Sequence, residues 1–140
     1  MSLAKYIEKL KDSPFHEITI SSTTIYLFTK DELCEGQIGY SVDSNGKSLT
    51  SEKDGNWKNS WLVIGYEELC GDPFFTDLDS QDFPVFTAIH GTGNWEQTLI
   101  ADSFESFIKS LKIIARLKPK EETLEKIKSL NQLSRSAYIL

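Results

Sequence analysis

Residues 61–89 have the sequence WLVIGYEELCGDPFFTDLDSQDFPVFTAI, and this stretch decides the fold. Its first segment, Trp61–Gly65, is continuously apolar, which is typical of a strand that is buried on both faces. Two more segments rich in aromatic and apolar residues follow at Phe74–Leu78 and Phe83–Ile89. The polar residues 79–82 between them favour a turn. The stretch therefore predicts three consecutive strands of a sheet.

The N-terminal part of the chain predicts one helix and further strands. Apolar residues recur at helical spacing in Ser2–Lys11, which favours a short amphipathic helix. The apolar face of this helix would carry Leu3, Ile7 and Leu10. The strands predicted from runs of β-branched and aromatic residues are Glu17–Ser21, Thr24–Phe28, Gln37–Val42 and Lys47–Thr50. The Asn-Gly pair within residues 43–46 favours a hairpin turn, because both residues tolerate a positive φ.

The C-terminal part predicts a last strand and two helices. The strand is expected at Trp95–Ala101. Asp102 and Glu105, three residues apart, predict a capping box at the start of a helix. The inward side chains of this helix would be Phe104, Phe107, Ile108, Leu111 and Ile114. Pro119 would end the helix and begin another that continues to about Gln132.

The order of these elements predicts the fold class. One short N-terminal helix, six to eight strands and two C-terminal helices indicate an α+β fold, in which the helices pack on a mostly antiparallel central sheet. A length of 140 residues fits one domain, so we expect a single domain over residues 1–140. The composition, 39% hydrophobic and 26% charged residues, is that of an ordinary globular protein.

The sequence also bears on the cellular compartment. No apolar run approaches the roughly 20 residues that cross a bilayer, and the first residues lack the apolar core of a signal peptide. Cys34 and Cys70 are too few, and have the wrong spacing, for a zinc site. We therefore expect a cytoplasmic protein with reduced thiols.

Charge is distributed very unevenly along the chain. Residues 59–108 contain no Lys or Arg but nine carboxylates, whereas the whole protein has a net charge of −6. An acidic surface repels nucleic acid and anionic membranes and attracts basic partners. The same fifty residues contain eight Phe and Trp side chains. Carboxylates combined with aromatic residues favour a protein partner, and neither nucleic acid nor a membrane.

Six residues are the candidates for partner contact: Trp57, Asp72, Asp77, Asp79, Asp82 and Trp95. Asp77 and Asp79 would share one face if their strand continued that far, with Asp72 and Asp82 at its ends. The alternative is that these Asp residues are solvated turn caps. Trp57 lies in a polar loop, so it is expected to be either a lid over the core or a binding anchor.

The sequence offers little support for catalysis. His90 precedes the glycine-rich residues 91–93, which are more typical of a tight turn than of a phosphate site. Cys70 could pair with His90 as a nucleophile, but a buried thiol is the favoured interpretation. No calcium-loop pattern is complete. We therefore predict no catalytic residue, no metal and no cofactor, with a metal-dependent hydrolase using Asp72, Asp77 and Asp79 as the weakest alternative.

Four blocks in a fixed order resemble one known family. They are Trp61–Gly65, Gly71–Asp77, Phe83–Phe86 and Ile100–Ile108. In order and spacing they are similar to the SUKH superfamily, which includes yeast cell-wall glucan-synthesis regulators and many bacterial immunity proteins. The resemblance covers roughly residues 56–111. The first fifty residues depart from the common pattern, since they contain neither a Leu-Pro-x-x-Tyr segment nor an Asn-Gly-Gly after an opening helix.

The resemblance implies an α+β fold and a non-catalytic binding role. In bacteria, such proteins hold a toxin domain, often a nuclease, inactive in the cytoplasm of the producing cell. This implication agrees with the acidic composition, because nucleases tend to be basic. The alternative implied by the same family is a regulatory scaffold for cell-wall or envelope synthesis.

Overall fold

The computed structural model describes residues 2–20 and 23–117, and their strands form one sheet. In chain order the elements are α1 (Ser2–Lys11), β1 (Glu17–Ile20), β2 (Thr23–Leu27), a 3₁₀ turn (Lys30–Glu32), α2 (Leu33–Gly36), β3 (Trp61–Glu67), β4 (Pro73–Asp77), β5 (Val85–Thr87), β6 (Thr98–Ala101) and α3 (Phe104–Leu117). The six strands are neighbours in the order of the sequence, and every pairing is antiparallel. The α+β class is confirmed, while the second C-terminal helix predicted from Pro119 lies outside the described residues.

The sheet is covered on both faces, and β3 contributes to both. Leu62 and Ile64 belong to the core on the face where α1 and α3 pack, which we call the helix face. Trp61 and Val63 belong to a second core on the opposite side, which we call the aromatic face. A strand whose alternate residues enter two cores must be apolar throughout, which explains the uninterrupted run at its start.

A β-bulge in β3 changes which side chains reach each face. Val63 pairs with Phe75 but Gly65 pairs with Phe74, so Ile64 is an extra residue on the β3 side of the ladder. Because of this extra residue, Tyr66 returns to the aromatic face, opposite Tyr26 of β2. Gly65 is needed at this position, since a Cβ there would collide with the backbone carbonyl oxygen of Tyr26.

On the helix face, the structure confirms the helices α1 and α3, but it changes which side chains of α1 are buried. In α1 the deeply buried residues are Tyr6 and Leu10, whereas Leu3 is exposed. Rotation of the helix toward Tyr6 brings its ring against Phe104 of α3, with centroids 5.2 Å apart. Burial raises the pKa of the Tyr6 phenol. The aromatic ring, which the helical pattern in the sequence left out, is therefore the main anchor of α1.

The start of α3 lies one residue later than predicted. Ser103, not Asp102, is the residue before the helix, and its Oγ accepts a hydrogen bond from the Ser106 amide at 3.0 Å. The predicted inward residues Phe104, Phe107, Ile108 and Leu111 are buried, and Ile114 is half-buried. The helical pattern was therefore correct although the predicted cap was not.

The strands predicted at 37–42 and 47–50 do not form. Their residues make only isolated bridges, between Ile38 and Val42 and between Val42 and Ser48. Ile38 and Leu49 are exposed, and Tyr40 packs on the aromatic face although its segment is not a strand. The turn at 43–46 does form, with the Gly46 amide donating to the Asp43 carbonyl at 3.0 Å.

One side chain joins this irregular segment to the sheet. The side-chain amide of Gln37 donates to the carbonyl of Val63 at 2.8 Å, and its oxygen accepts from the Val63 amide at 2.9 Å. The last pair between β2 and β3 is Leu27 with Gly65, so β2 does not extend alongside Val63. Gln37 therefore satisfies both backbone groups of Val63 on the side where no strand is present, and it holds the following loop over the aromatic face.

Candidate functional site

The sheet divides the acidic residues between two opposite ends. Asp72 immediately precedes β4 and Asp77 is its last residue. Five residues of extended chain separate them, which corresponds to about 17 Å. A single cation cannot bridge that distance, because carboxylate oxygens bind metals within about 2–3 Å. Asp72 and Asp77 therefore cannot be ligands of the same cation.

The far turn, residues 77–83, contains three of the predicted contact residues. The strand ends at Asp77, whose Oδ1 accepts a hydrogen bond from the amide of Asp79 at 2.9 Å. The two residues therefore form a turn capped by the Asp77 side chain and do not share a strand face. This arrangement agrees with the alternative in which these Asp residues cap a solvated turn. Asp82 is exposed and has a left-handed φ of 62°, and its carbonyl accepts the Phe104 amide at 3.1 Å.

Lysines of α1 face these carboxylates across an open groove. The groove has a volume of about 760 Å³ and lies between α1 and the far turn. Its charged lining residues are Lys5, Lys9, Lys11, Glu8, Asp12, Asp79 and Asp82. A stretch that is purely acidic in sequence is therefore a surface of mixed charge in the folded protein, which weakens the case for a basic partner at this end.

At the opposite end, two loops form a surface that we call the loop tip, residues 68–72 and 88–97. The carboxylate of Asp72 joins the loops, because one oxygen accepts hydrogen bonds from both the backbone amide of His90, at 3.1 Å, and its ring Nδ1, at 2.7 Å. Because the carboxylate accepts in this contact, Nδ1 is the ring nitrogen of His90 that carries the proton. Gly71, with φ +78°, makes the turn that places Asp72 there.

The loop tip carries the two most exposed large hydrophobic side chains of the described chain. Leu69 is 65% exposed and Ile89 is 68% exposed. Glu68 and Glu96 are exposed in the same two loops. Large apolar side chains next to carboxylates at the surface are characteristic of protein contact surfaces.

The remaining polar groups of the β3–β4 turn are engaged in holding its shape. One oxygen of Glu67 accepts the hydroxyl of Thr23 at 2.7 Å and the other accepts the amide of Cys70 at 2.7 Å. Cys70 itself is a free, exposed thiol, so the prediction of a buried thiol is wrong.

Trp57, one of the six predicted contact residues, is buried in the core of the aromatic face. Only 1% of its surface is exposed, and its indole N–H donates to the carbonyl of Trp61 at 3.2 Å. Its ring lies 4.7 Å from that of Phe75 and 5.3 Å from that of Trp95, centroid to centroid. The lid alternative is therefore correct, because the loop folds the indole inward onto the aromatic face.

Trp95 lies where this aromatic core meets the loop tip. It is half-buried, and its backbone amide donates to the carbonyl of Gly55 at 2.7 Å, which holds the Trp57 loop in place. Its ring also contacts that of Tyr40, with centroids 5.4 Å apart. Burial, and secondarily the charge of Asp72, raise the pKa of the Tyr40 phenol. Of the six predicted contact residues, only Asp72 and Trp95 therefore belong to the loop tip.

Sequence reasoning missed Leu69, Ile89 and the pairing of Asp72 with His90. Asp72 and His90 are eighteen residues apart, and only the antiparallel pairing of β4 with β5 brings them together. The exposure of Leu69 could have been predicted, because this apolar residue stands between Glu68 and Cys70 in a turn where no strand or helix would bury it.

The described residues 2–20 and 23–117 contain no cluster of three or more His, Cys, Asp or Glu side chains arranged to hold a metal ion. Within the same residues, no helix is both long enough and apolar enough to cross a bilayer. Comparisons with protein-family models, with curated proteins and with solved structures found no match to this chain. The SUKH resemblance therefore remains a prediction from the four sequence blocks.

Proposed function

We propose that this chain is a non-catalytic protein-binding domain that binds a basic protein through the loop tip. In the role that the SUKH resemblance implies, it is a bacterial immunity protein, and its partner is a toxin domain, of the nuclease type, which it holds inactive in the cytoplasm. The proposal requires no cofactor and no contact with nucleic acid or membrane.

One observation carries this proposal. Leu69 and Ile89 are exposed in the same two loops as Glu68, Glu96 and Asp72, in a part of the sequence without any Lys or Arg. Apolar contacts supply affinity once their water is released, and the surrounding carboxylates select a partner of positive charge. The loop tip combines these two properties, whereas the far turn lies opposite the lysines of α1.

The charge of the loop tip also suits inhibition of a nuclease. An enzyme that binds a phosphate backbone presents a positive surface to its substrate. Carboxylates on an inhibitor are attracted to that surface from a distance and then compete with the phosphates for it. The inhibitor needs no chemistry for this, only a rigid surface, and the Asp72–His90 contact gives the two loops such a surface.

The test is binding and protection against the toxin domain encoded beside this gene. The Leu69→Ala/Ile89→Ala double variant should weaken binding by at least ten-fold and should no longer protect cells, because truncation of buried contact residues typically costs about 1–2 kcal/mol each. The matched control is Leu3→Ala/Leu49→Ala, which removes two apolar side chains exposed elsewhere. The control should bind and protect like the unmodified protein.

Two outcomes would overturn the proposal. If the loop-tip double variant protects as well as the control while both remain folded, the contact surface lies elsewhere. If the neighbouring gene product is not bound at all, and cell-wall synthesis changes when this gene is deleted, the scaffold alternative is correct.

A further inference from the structure

A pair of stacked tyrosines lies on the aromatic face at the β2–β3 pairing. Tyr26 and Tyr66 stand directly opposite each other in the ladder, with ring centroids 5.5 Å apart and planes inclined by 25°. Both side chains are partly exposed. Phe28 lies beside them, with its ring centroid 6.1 Å and 6.0 Å from the two rings, and its own ring packs against Gly36 of α2. The three rings therefore form one aromatic cluster.

A carboxylate is held at the edge of this surface. One oxygen of Glu32 accepts the Tyr26 hydroxyl at 2.7 Å, and the other accepts the amide of Thr29 at 2.9 Å. The Thr29 amide and then the Tyr26 hydroxyl lower the pKa of Glu32, so this group is ionised at neutral pH. The Thr29 side chain is a third donor to this carboxylate, and of its four lone-pair positions at least one remains for a donor from outside.

Among the described residues, Glu32 makes no ion pair. Glu17 stands opposite Tyr26 on the β1 side of the ladder and adds a second negative charge. His16 is close enough for its charge to lower the pKa of Glu32, and Lys30 belongs to the same 3₁₀ turn as Glu32. The ion pairs among the described residues are Lys11–Glu8, His90–Asp72 and Lys109–Glu105, none of which involves Glu32 or Glu17.

We infer that Tyr26, Tyr66 and Glu32 form a docking point for an arginine side chain of a basic protein partner. A guanidinium group is planar, so it can stack on a tyrosine ring while its N–H groups donate to a carboxylate at the edge of that ring. A lysine ammonium fits less well, because it is strongly hydrated and has no flat face. The inference rests on the proposed protein-binding role and extends it by naming the chemistry of a second contact.

This docking point lies at the same end of β3 and β4 as the loop tip. Tyr66 pairs with Pro73, and Pro73 directly follows Asp72, whose carboxylate joins the two tip loops. One partner can therefore contact Leu69 and Ile89 with its apolar residues and place an arginine on the tyrosines. Stacked tyrosines beside a carboxylate are also found where sugars bind, so glycan binding is the competing outcome.

The experiment uses synthetic peptides, so its result does not depend on identifying the partner. Peptides of six Arg-Gly or six Lys-Gly repeats are titrated into the ¹⁵N-labelled protein at low salt, and backbone amide shifts are followed by NMR. The arginine peptide should bind several-fold more tightly than the lysine peptide. Its largest shifts should fall around Tyr26, Glu32 and Tyr66.

Substitutions then separate this docking point from general attraction by charge. Glu32→Gln should weaken the arginine peptide about ten-fold, as expected for a charge-assisted hydrogen bond of roughly 1.4 kcal/mol. Tyr66→Leu should weaken it about five-fold, the size of a cation–π contact of roughly 1 kcal/mol. The matched control, Asp79→Asn, removes the same charge from the far turn and should leave binding unchanged.

The inference and the proposed function fail by different results. Three results would overturn the arginine site alone. The two peptides could bind equally, the NMR shifts could be confined to the groove between α1 and the far turn, or Glu32→Gln and Asp79→Asn could lower the affinity for the arginine peptide equally. Shifts at the tyrosines with β-glucan oligosaccharide and none with the peptides would assign the pair to sugar binding. Failure of the toxin to bind, with the peptide results as expected, would leave the docking point standing and overturn only the immunity role.

Discussion

At the scale of single residues, Gln37 stands out because one side chain takes the place of a strand. Its amide satisfies both the N–H and the C=O of Val63, and its nitrogen also donates to the carbonyl of Leu33 at 2.8 Å. A strand would make these contacts with its backbone. The side chain makes them at one point only, so the chain is free to leave the sheet immediately afterwards.

Replacement of Gln37 should therefore be costly. Gln37→Ala leaves two backbone groups of a central strand without partners, and we expect the free energy of unfolding to fall by about 1–3 kcal/mol. Urea denaturation followed by tryptophan fluorescence measures this. The matched control is Gln97→Ala, at an exposed position. Equal stability of the two variants would show that water replaces the Gln37 amide without cost.

Trp57 provides a second prediction at the same scale. Since its indole is enclosed by Trp61, Phe75 and Trp95, Trp57→Ala should lower the free energy of unfolding by about 3–5 kcal/mol. Trp95→Ala, at a half-buried position, should cost clearly less. If Trp57 were instead a binding anchor, its loss would leave the melting temperature unchanged and weaken only the complex.

At the scale of elements, the N-terminus of α3 tests how a helix start is assigned. The structure identifies Ser103 as the cap, through its bond to the Ser106 amide, while the exposed Asp102 precedes it. The sequence pattern suggested Asp102, because Glu105 follows at capping-box spacing. Patterns of this kind commonly place a helix end one or two residues away from its true position.

The two candidate caps can be compared directly. Ser103→Ala should lower the free energy of unfolding by about 0.5–2 kcal/mol, the usual cost of a lost N-cap. Asp102→Ala should change it by less than about 0.5 kcal/mol, as expected for an exposed residue without that bond. If thermal denaturation shows that Asp102→Ala destabilises the protein more than Ser103→Ala, Asp102 is the cap.

The β4 strand is the element that determines the arrangement of charge. Its five residues place Asp72 at one end and Asp77 at the other, and the following turn carries Asp79 and Asp82 toward α1. Close neighbours in the sequence are thereby sent to opposite ends of the sheet. The predicted acidic surface consequently becomes two surfaces with different neighbours.

At the scale of the whole molecule, this arrangement predicts which charges guide association. On the proposed function, Glu68→Lys/Glu96→Lys at the loop tip should slow association with the toxin domain and flatten its dependence on ionic strength. Asp77→Lys/Asp79→Lys makes the same change in charge at the far turn and should have a smaller effect. Surface plasmon resonance at low and physiological salt measures both. Equal slowing by the two variants would mean that only net charge matters.

The sequence alone does not predict the short helix α2, but it does predict the α+β class, the strands β1 to β4 and the helices α1 and α3. These features depend on local properties, namely the period of apolar residues and the conformational preferences of turn residues, which each segment carries within itself. The strands of β5 and β6 were recognised but are shorter than predicted, at Val85–Thr87 and Thr98–Ala101. Their ends depend on where the neighbouring strand stops pairing.

Which of the predicted contact residues lie together depends on the tertiary structure. The pairing of β4 with β5 brings Asp72 to His90, the extended β4 separates Asp72 from Asp77, and Trp57 is buried because its loop folds over the aromatic face. The same holds for Tyr26 and Tyr66, forty residues apart in sequence and stacked in the sheet because a bulge shifts the side-chain alternation of β3. Composition records how many carboxylates and aromatic rings a chain has, whereas the register of its strands decides which of them share a surface.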